Sequence, residues 1–562
     1  MAATQELPVQ TVPDVPDFAI KVDGTVLAPP ERDAVLRVDI HEEVGHLARA
    51  VLLVHNWDDQ TNEPELADGP FAAGSKVEVQ LGYSGKLEPA FDGIVTALRA
   101  HFISGEPPVV EVHCRCRGVL LAAGARSRVL EDTTDGDVAA AVAGDHELSA
   151  QADTGASQPF AVQAAQTDWD LLRDRAERLG WALYVRGTDL VFRAPATDAE
   201  PAVTLAWGAN VVELDLEQDV AGRVAAITAS SWDPAALEAA TAEATGTADA
   251  PPHRIASSAA LTADELAAQS AGAAERDALT RVAGRGRAIG LPKLRCDAML
   301  ALEGCGDPFD GPHYVSAVRH VLDARGFTTE FQLGLPRRLG PAAGAHAPLP
   351  GLSAGVVDDI DDPDVLGRVR VLLPWLDAEI PSVWARLGVP AAGADRGFFF
   401  VPEVGDEVVV GCLGDDARHL VVLGSLWNGT QAPPESLDAA TNALRSIVSR
   451  SGHRITLDDS DGAAKVVVQT AAEQTVTMDD TAGIELVDKT GNKLTMDSAG
   501  ITLEAAGSAD LTLKASGGKV AIDAKQFEAK ASGGAKIESS AALDLQASAT
   551  LGVTGAMVKI NS

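Results

Sequence analysis

From Glu435 to Ser562 the chain has no proline, cysteine, tryptophan or tyrosine, and Phe527 is the only aromatic residue there. All 30 prolines fall at or before Pro434, and the last tryptophan is Trp427. Cysteine is scarce throughout. Cys114, Cys116, Cys296, Cys305 and Cys412 are scattered, which fits a reducing compartment and free thiols. Long apolar runs are missing too; no stretch reaches about 18 residues, so no transmembrane helix is expected. The first residues, MAATQELPVQTVPD, lack a basic region followed by an apolar core. No signal peptide is therefore expected, and assembly in the cytoplasm is. Positive charge is in the minority: 45 Lys and Arg against 81 Asp and Glu give a formal net charge of −36. Such a chain repels phosphate backbones, which argues against nucleic acid as a partner, and it keeps a large assembly soluble.

What is present at the C-terminal end is alternation. Arg454-Ile-Thr-Leu-Asp after His453, Gly483-Ile-Glu-Leu-Val-Asp, Lys493-Leu-Thr-Met-Asp, Gly500-Ile-Thr-Leu-Glu, Asp510-Leu-Thr-Leu-Lys, Lys519-Val-Ala-Ile-Asp and Leu543-Asp-Leu-Gln each place apolar residues two apart. That is the pattern of strands with one buried face, and Gly, Asn or Asp punctuates them roughly every 8 to 10 residues. The strands are short and their apolar residues small, so one chain buries little and leaves long unpaired edges. Winding three identical chains together closes the edges. The axis would then be lined by Ile484, Leu494, Ile501, Leu503, Leu511, Leu513, Val520, Ile522, Leu543 and Leu545. A single-chain β-helix is the alternative; it would usually show regular coils and a capping element.

At 562 residues, with 46% hydrophobic, the chain is expected to hold two to four domains. An internal repeat marks two of its parts. Phe91-Asp-Gly93 precedes Val95-Thr-Ala-Leu-Arg99, and Phe309-Asp-Gly311 precedes Val315-Ser-Ala-Val-Arg319. Each copy lies between strand-like stretches: Lys76-Val-Glu-Val-Gln-Leu and Val109-Val-Glu-Val-His-Cys, then Lys293-Leu-Arg-Cys-Asp-Ala and Thr328-Thr-Glu-Phe-Gln-Leu. Two related β-barrels follow, near residues 15–120 and 205–340. Between them, Thr167-Asp-Trp-Asp170 reads as a capping box, with Leu171, Leu172, Ala176 and Leu179 at helical spacing and Gly180 as the C-cap. Residues 233–260 are Ala-rich and read as a flexible loop; Thr262 then starts a helix reaching about Val282. Five short strands follow: Gly367-Arg-Val-Arg-Val, Val383-Trp-Ala-Arg-Leu, Gly397-Phe-Phe-Phe-Val, Asp406-Glu-Val-Val-Val and Leu420-Val-Val-Leu-Gly. They suggest a small barrel of the OB type. The fold class is thus mainly β with some α. The domains are an extension at 1–14, a hub with two related barrels and helical segments at 15–345, an OB-fold collar at 350–432, and an intertwined trimeric β-helix needle and tip at 433–562.

Several motifs suggest chemistry without supplying it. His41-Glu-Glu-Val-Gly-His46 spaces its imidazoles five apart, one more than a helical zinc site needs. Cys114 and Cys116 share a strand face and read as core thiols. Gly284-Arg-Gly-Arg-Ala-Ile-Gly290 has the wrong spacing and context for a dinucleotide loop and reads as a turn. Asp358-Asp-Ile-Asp-Asp362 reads as an acidic solvated loop rather than a calcium site. No catalytic triad or paired carboxylates stand out. The expectation is no enzyme, no metal and no cofactor.

Three runs carry a resemblance. Gly367-Arg-Val-Arg-Val371 with Pro374-Trp375, Phe400-Val-Pro-Glu-Val-Gly-Asp-Glu-Val408, and Val422-Leu-Gly-Ser-Leu-Trp-Asn-Gly429 resemble, in order, the collar of VgrG-type spikes and phage baseplate hubs. Thr167 to Gly180 with Leu183-Tyr-Val-Arg-Gly187 is similar to the phage late control D type of hub. Gly555-Ala-Met-Val-Lys-Ile-Asn561 is similar to the spike tip of extracellular contractile injection systems. The resemblance implies a homotrimeric structural hub that joins a hexameric inner tube to a membrane-puncturing needle. Baseplate proteins, cargo effectors and a transient contact with a target membrane are the implied partners. Two similar barrels per chain give a trimer six similar units, which suits a sixfold tube. The last histidine is His453, so the tip cannot build its own metal site as some relatives do. A separate PAAR-like cap is expected on Leu551, Val553, Met557, Val558 and Ile560. A type VI secretion spike, a true phage tail spike, a cell-wall hydrolase carried on a β-solenoid, and a trimeric adhesin are the alternatives.

Overall fold

A computed structural model describes residues 15–57, 63–64, 69–219, 224–233, 238–246, 251–256, 261–336, 351–373, 382–413 and 418–560. The extension 1–14, the Pro374-Trp375 pair and Asn561 lie outside these described residues. The chain divides into two compact units, Met1–Ala432 and Pro433–Ser562.

Two sets of five strands organise the first unit. One set is β1 (Val35–Glu43), β2 (Arg49–His55), β3 (Lys76–Tyr83), β4 (Lys86–His101) and β5 (Val109–Cys116). The other is β6 (Val211–Gln218), β7 (Val282–Ile289), β8 (Ala298–Glu303), β9 (Gly311–Asp323) and β10 (Gly326–Leu333). Both sets pair in the same spatial order, β1-β2-β5-β4-β3 and β6-β7-β10-β9-β8. The repeated sequence occupies the same place in each: Val95–Arg99 lies in β4 and Val315–Arg319 in β9. The two sets also join. β9 runs antiparallel to β1, with Arg319 opposite His41 and Leu322 opposite Val38, so one sheet of 13 strands passes through both.

Alternation explains the core of this sheet. Val38 and Ile40 of β1, Ala50 and Leu52 of β2, and Val110, Val112, Cys114 and Cys116 of β5 are all buried. Both thiols are therefore core groups, and burial pushes Cys114 up to about 12 and Cys116 up to about 11.

Three longer helices pack against smaller sheets and one another: α1 (Asp135–Asp145), α2 (Asp168–Leu179) and α3 (Ala263–Leu279). The Thr167 hydroxyl accepts the Asp170 N–H at 3.1 Å, and Gly180 ends α2 at φ +69°. The return half of the capping box is not made, because the Asp170 carboxylate instead accepts the Thr167 hydroxyl at 2.7 Å. At α3 the box is complete. That helix stops at Leu279, since Val282 already belongs to β7.

α2 and α3 meet through glycine. A Cβ on Gly272 would lie 1.8 Å from the Leu179 carbonyl oxygen, part of the helix end that Gly180 caps. Gly272→Ala is expected to cost about 1–3 kcal/mol, because backbone cannot yield as a side chain can. Denaturant unfolding reads this directly, and an unchanged midpoint would mean that the helices part freely.

Two expectations between residues 233 and 290 are corrected. The Ala-rich stretch 233–260 is not simply a loop. Glu238–Thr245 and His253–Ala256 pair with Ala226–Asp233 in a small sheet, because alanine and threonine alternate well enough to form a ladder. Gly284 to Ile289 is strand β7 rather than a turn; Gly286 lets the Phe331 ring lie across it, where a Cβ would come within 2.3 Å.

The collar is a closed five-stranded barrel. Its strands are β11 (Leu352–Asp359), β12 (Val369–Leu372), β13 (Val383–Leu387), β14 (Glu407–Cys412) and β15 (Leu420–Ser425), ordered β11-β12-β13-β15-β14. Val357, Val369, Val371, Val383, Ala385, Val408, Val410, Leu420 and Val422 fill it. The fifth strand is β11, not Gly397–Val401. Three consecutive phenylalanines offer no alternation and so no single buried face. Phe398, Phe399 and Phe400 stand exposed after a two-residue pairing of Arg396–Gly397 with Ala392–Gly393. A buried ion pair ties the barrel to α3: Arg418 donates to Glu265 at 2.7 Å and to Gln158 at 3.1 Å.

The second unit is an antiparallel meander of seven short strands. They are β16 (Leu444–Val448), β17 (Arg454–Asp458), β18 (Lys465–Gln469), β19 (Thr475–Asp479), β20 (Gly483–Val487), β21 (Lys493–Asp497) and β22 (Gly500–Glu504). Aspartates close its turns. Asp458, Asp479, Asp488 and Asp497 each accept the N–H two residues on, at 3.0, 2.9, 2.8 and 2.7 Å. Residues 505–560 form no strand, so the stretches at Asp510, Lys519 and Leu543 have no ladder within the chain.

Candidate assembly site

The register of the meander lines its apolar residues up in two rows. One row runs Ile447, Ile455, Val468, Val476, Leu486, Leu494, Leu503, and the other Leu457, Val466, Met478, Ile484, Met496, Ile501. Each residue sits directly opposite the next across a strand pair, and only alternating residues can do this. Most remain exposed, Leu503 at 51% and Ile501 at 71%. Of the axial residues named from sequence, Ile484, Leu494, Ile501 and Leu503 fall in these rows. Leu511, Leu513, Val520, Ile522, Leu543 and Leu545 lie exposed in the strandless stretch, as do Leu551, Val553, Met557, Val558 and Ile560 toward the tip. The sequence reading passed over the whole of β16, β18 and β19. Lys465-Val-Val-Val-Gln hid its alternation in a continuous apolar run.

A second assembly of groups sits where the two strand sets join. Arg319 of β9 donates to both oxygens of Asp39 of β1, at 2.9 and 2.7 Å. Burial opposes the charge on Asp39, but Arg319 holds its carboxyl below the usual range. Glu42 of β1 is buried and takes two hydrogen bonds from Arg295, with Arg186 at 3.7 Å. Burial again opposes the charge, and the two guanidiniums prevail. Asp297 collects Tyr184, Tyr314, Arg193 and the Ala196 N–H.

His320 of β9 is buried among these groups as a neutral ring. Its Nε2–H donates to the Leu294 carbonyl at 3.1 Å, and its Nδ1 accepts the Thr329 hydroxyl at 2.9 Å. Burial, with Arg295 nearby, lowers its pKa to about 4. The native state therefore resists a proton that the unfolded chain takes up near its ordinary value of 6.5. Stability is expected to fall as pH drops from about 6.5 to about 4, by roughly 3 kcal/mol from this group. Denaturant midpoints at both ends of that window, with His320→Gln as reference, test it. An equal loss in the variant would remove His320 as the cause.

The other motifs settle into structural roles. His41 lies in β1 and His46 in the turn after it, 3.9 and 3.6 Å from the Glu43 carboxylate. Among the described residues, no group of three or more His, Cys, Asp or Glu side chains is placed to hold a metal. The acidic loop is filled by an arginine of its own chain: Arg368 donates to Asp362 and Asp364, both at 2.6 Å. Arg368 and neighbouring N–H groups hold the Asp362 carboxyl far below the usual range.

A chain that carries, in sequence order, a duplicated sheet, a closed barrel and an apolar-rowed meander has relatives. Residues 13–324 match the family model described as the Alg8 N-terminal domain, over more than half of the chain. Residues 353–427 match the type VI secretion system/phage-baseplate injector OB domain, and residues 465–528 the phage baseplate V C-terminal trimerisation domain.

The chain belongs to the Alg8 N-terminal domain family, and it resembles VgrG-type spike hubs.

The hub's described barrel, β11 to β15, falls within the injector OB match, and its meander from β18 to β22 within the trimerisation match. A Pseudomonas aeruginosa type VI secretion system spike protein, VgrG2a, is 36% identical over 78 residues, which are 13% of this chain and 9% of that relative. The match thus spans about a tenth of the length of that curated relative. Two solved structures share the fold. A type VI secretion component of Escherichia coli, described as similar to the T4 tail proteins gp27 and gp5, has a TM-score of 0.50 at 14% identity. It covers 72% of this chain and 99% of its own. A chain of the half-lidded Francisella PdpA–VgrG complex has a TM-score of 0.54 at 9% identity, covering 85% of this chain and 88% of its own.

Proposed function

We propose that three copies of this chain form the central spike of a contractile, phage-tail-like injection system. The hub seats on a hexameric inner tube and on baseplate proteins. The needle punctures a target membrane, and its role is mechanical rather than catalytic. The observation that carries this reading is the pair of exposed apolar rows in the meander, on a segment matching a trimerisation domain. Apolar rows of that length on a monomer would be an aggregation hazard, whereas three copies facing one axis bury them. Assembly takes place in the cytoplasm before the particle is released. The exposed Leu551, Val553, Met557, Val558 and Ile560 supply the seat for a PAAR-like cap, and cargo effectors ride on the same spike.

The test is the solution mass of the full chain by light scattering at two concentrations. Three times the chain mass, unchanged on dilution, supports the trimer. A stable monomer with the rows still exposed would sink it. A second reading, a type VI secretion spike, is favoured by the identity to a Pseudomonas aeruginosa spike of that system. Finding the chain in intact contractile particles purified from culture medium decides for the extracellular device; finding it only in cell-anchored assemblies decides for the second reading.

A further inference from the structure

The duplicated sheet has two edges that its own topology matches to each other. The equivalence of the two strand sets can be followed residue by residue. Leu98 of β4 stands opposite Val112, which stands opposite Leu52, which stands opposite Val38 of β1. In the second set, Val318 of β9 stands opposite Phe331, then Gly286, then Leu214 of β6. The repeat makes Leu98 the counterpart of Val318, so Leu214 is the counterpart of Val38 and Asp215 that of Asp39. The sequences agree: Val35-Leu-Arg-Val-Asp-Ile in β1 and Val211-Val-Glu-Leu-Asp-Leu in β6.

Within the chain, the β9 edge receives β1. The counterpart of β9 is β4 and the counterpart of β1 is β6, yet these two strands do not meet in the protomer. β6 ends the sheet, paired only with β7. β4 is covered by β3 only as far as Ile94, so among the described residues Ala97 to His101 has no strand on that side. Exposure follows. Ala317, Val318 and His320 of β9 are buried, whereas their counterparts Ala97 and Ala100 are exposed and Leu98 is only half-buried. Neither edge contains a proline, so every ladder N–H is available.

We propose that β4 of one protomer pairs antiparallel with β6 of a second copy of this chain, in the register that β9 and β1 already use. This rests on the trimeric spike-hub reading. The intrachain register puts His320 opposite Ile40 and Arg319 opposite His41. Carried over, Ala100 stands opposite Leu216 of the neighbouring copy and Arg99 opposite Glu217. Arg319 reaches diagonally to Asp39, so Arg99 reaches diagonally to Asp215 of the neighbour, and the acidic pair Asp215 and Glu217 receives one guanidinium. Two different edges joining head to tail generate a ring when the rotation closes. Three copies then leave no open edge at this seam, which removes the liability of unpaired strands.

Oxidative cross-linking of the full-length chain tests the register. Directly opposed residues in an antiparallel pair lie within disulfide reach. Ala100→Cys with Leu216→Cys is expected to give a covalent trimer on non-reducing gels, while each single variant gives none beyond the unmodified chain. Pairing Ala100→Cys with Leu214→Cys, two residues out of register, is expected to lose the product. Arg99→Glu in the 100/216 background is expected to reduce it, and Glu217→Arg to restore it. A chain that is trimeric by light scattering but forms no 100/216 cross-link overturns the seam and leaves the spike hub standing. Equal cross-linking of both pairs overturns the register. A monomer by light scattering overturns the trimer beneath both.

Discussion

Leu503→Glu is expected to abolish the trimer. In the meander Leu503 stands opposite Leu494 and continues the row through Leu486 and Val476. A threefold assembly repeats each substitution three times around one axis. Three carboxylates would be forced into a space lined by leucine. Taking an unpaired charge out of water costs several kcal/mol even after relaxation, so three copies cost on the order of 10 kcal/mol. A row of small apolar residues cannot offset that. Light scattering and resistance to detergent at room temperature read the result. Thr502→Glu, one residue away on the opposite face of β22, is the control and should leave the trimer intact. If both variants behave alike, the row does not face a partner.

Glu42→Ala is expected to cost about 3–5 kcal/mol of hub stability, because it leaves Arg295 buried without its counter-charge. Only about a sixth of the Arg295 side chain is exposed, and Glu42 accepts from two of its nitrogens. Denaturant unfolding of the full chain should show the loss in the transition that reports the first unit. Replacing both partners, as Glu42→Leu with Arg295→Met, should recover most of it, since an apolar pair of similar volume carries no desolvation cost. A small effect of Glu42→Ala alone would show that water reaches Arg295.

The parts legible in the sequence were those where alternation or capping chemistry acts locally. Thr167, Gly180 and Thr262 fixed helix ends within a residue or two, because a cap needs only its own turn. Arg454–Asp458, Gly483–Val487, Lys493–Asp497 and Gly500–Glu504 were visible because one face is apolar and the other is not. The Phe-Asp-Gly repeat located β4 and β9. What escaped depended on distant pairing. The repeat of β1 in β6 is written in Val-x-x-Val-Asp-Ile and Val-x-x-Leu-Asp-Leu, but only the shared position in the sheet makes so short a match meaningful. The joining of the two strand sets is a ladder between β9 and β1, with Asp39 and Arg319 paired across it, all far apart in the chain. The three phenylalanines at 398–400 look like a barrel strand between turn residues, although a run of three cannot face one core. The naming of residues between Leu511 and Ile560 as axial or tip positions rests on pattern alone, since they are exposed and take part in no ladder within the described residues.

The meander from Leu444 to Glu504 completes its ladders within one chain, whereas the stretch from 505 to 560 has none to complete. The first segment can therefore form on a single polypeptide, and the second has to wait for company. On the trimeric reading, growth of the shaft becomes directional, starting at the meander and closing toward residue 560. It also becomes collective, because each faulty chain weakens any trimer that contains it. If intact and Leu503→Glu chains are made in equal amounts and mix at random, only about one trimer in eight contains no faulty chain. A faulty copy of this segment expressed beside an intact one would thus interfere with it, a genetic signature that an independently folding shaft would not produce.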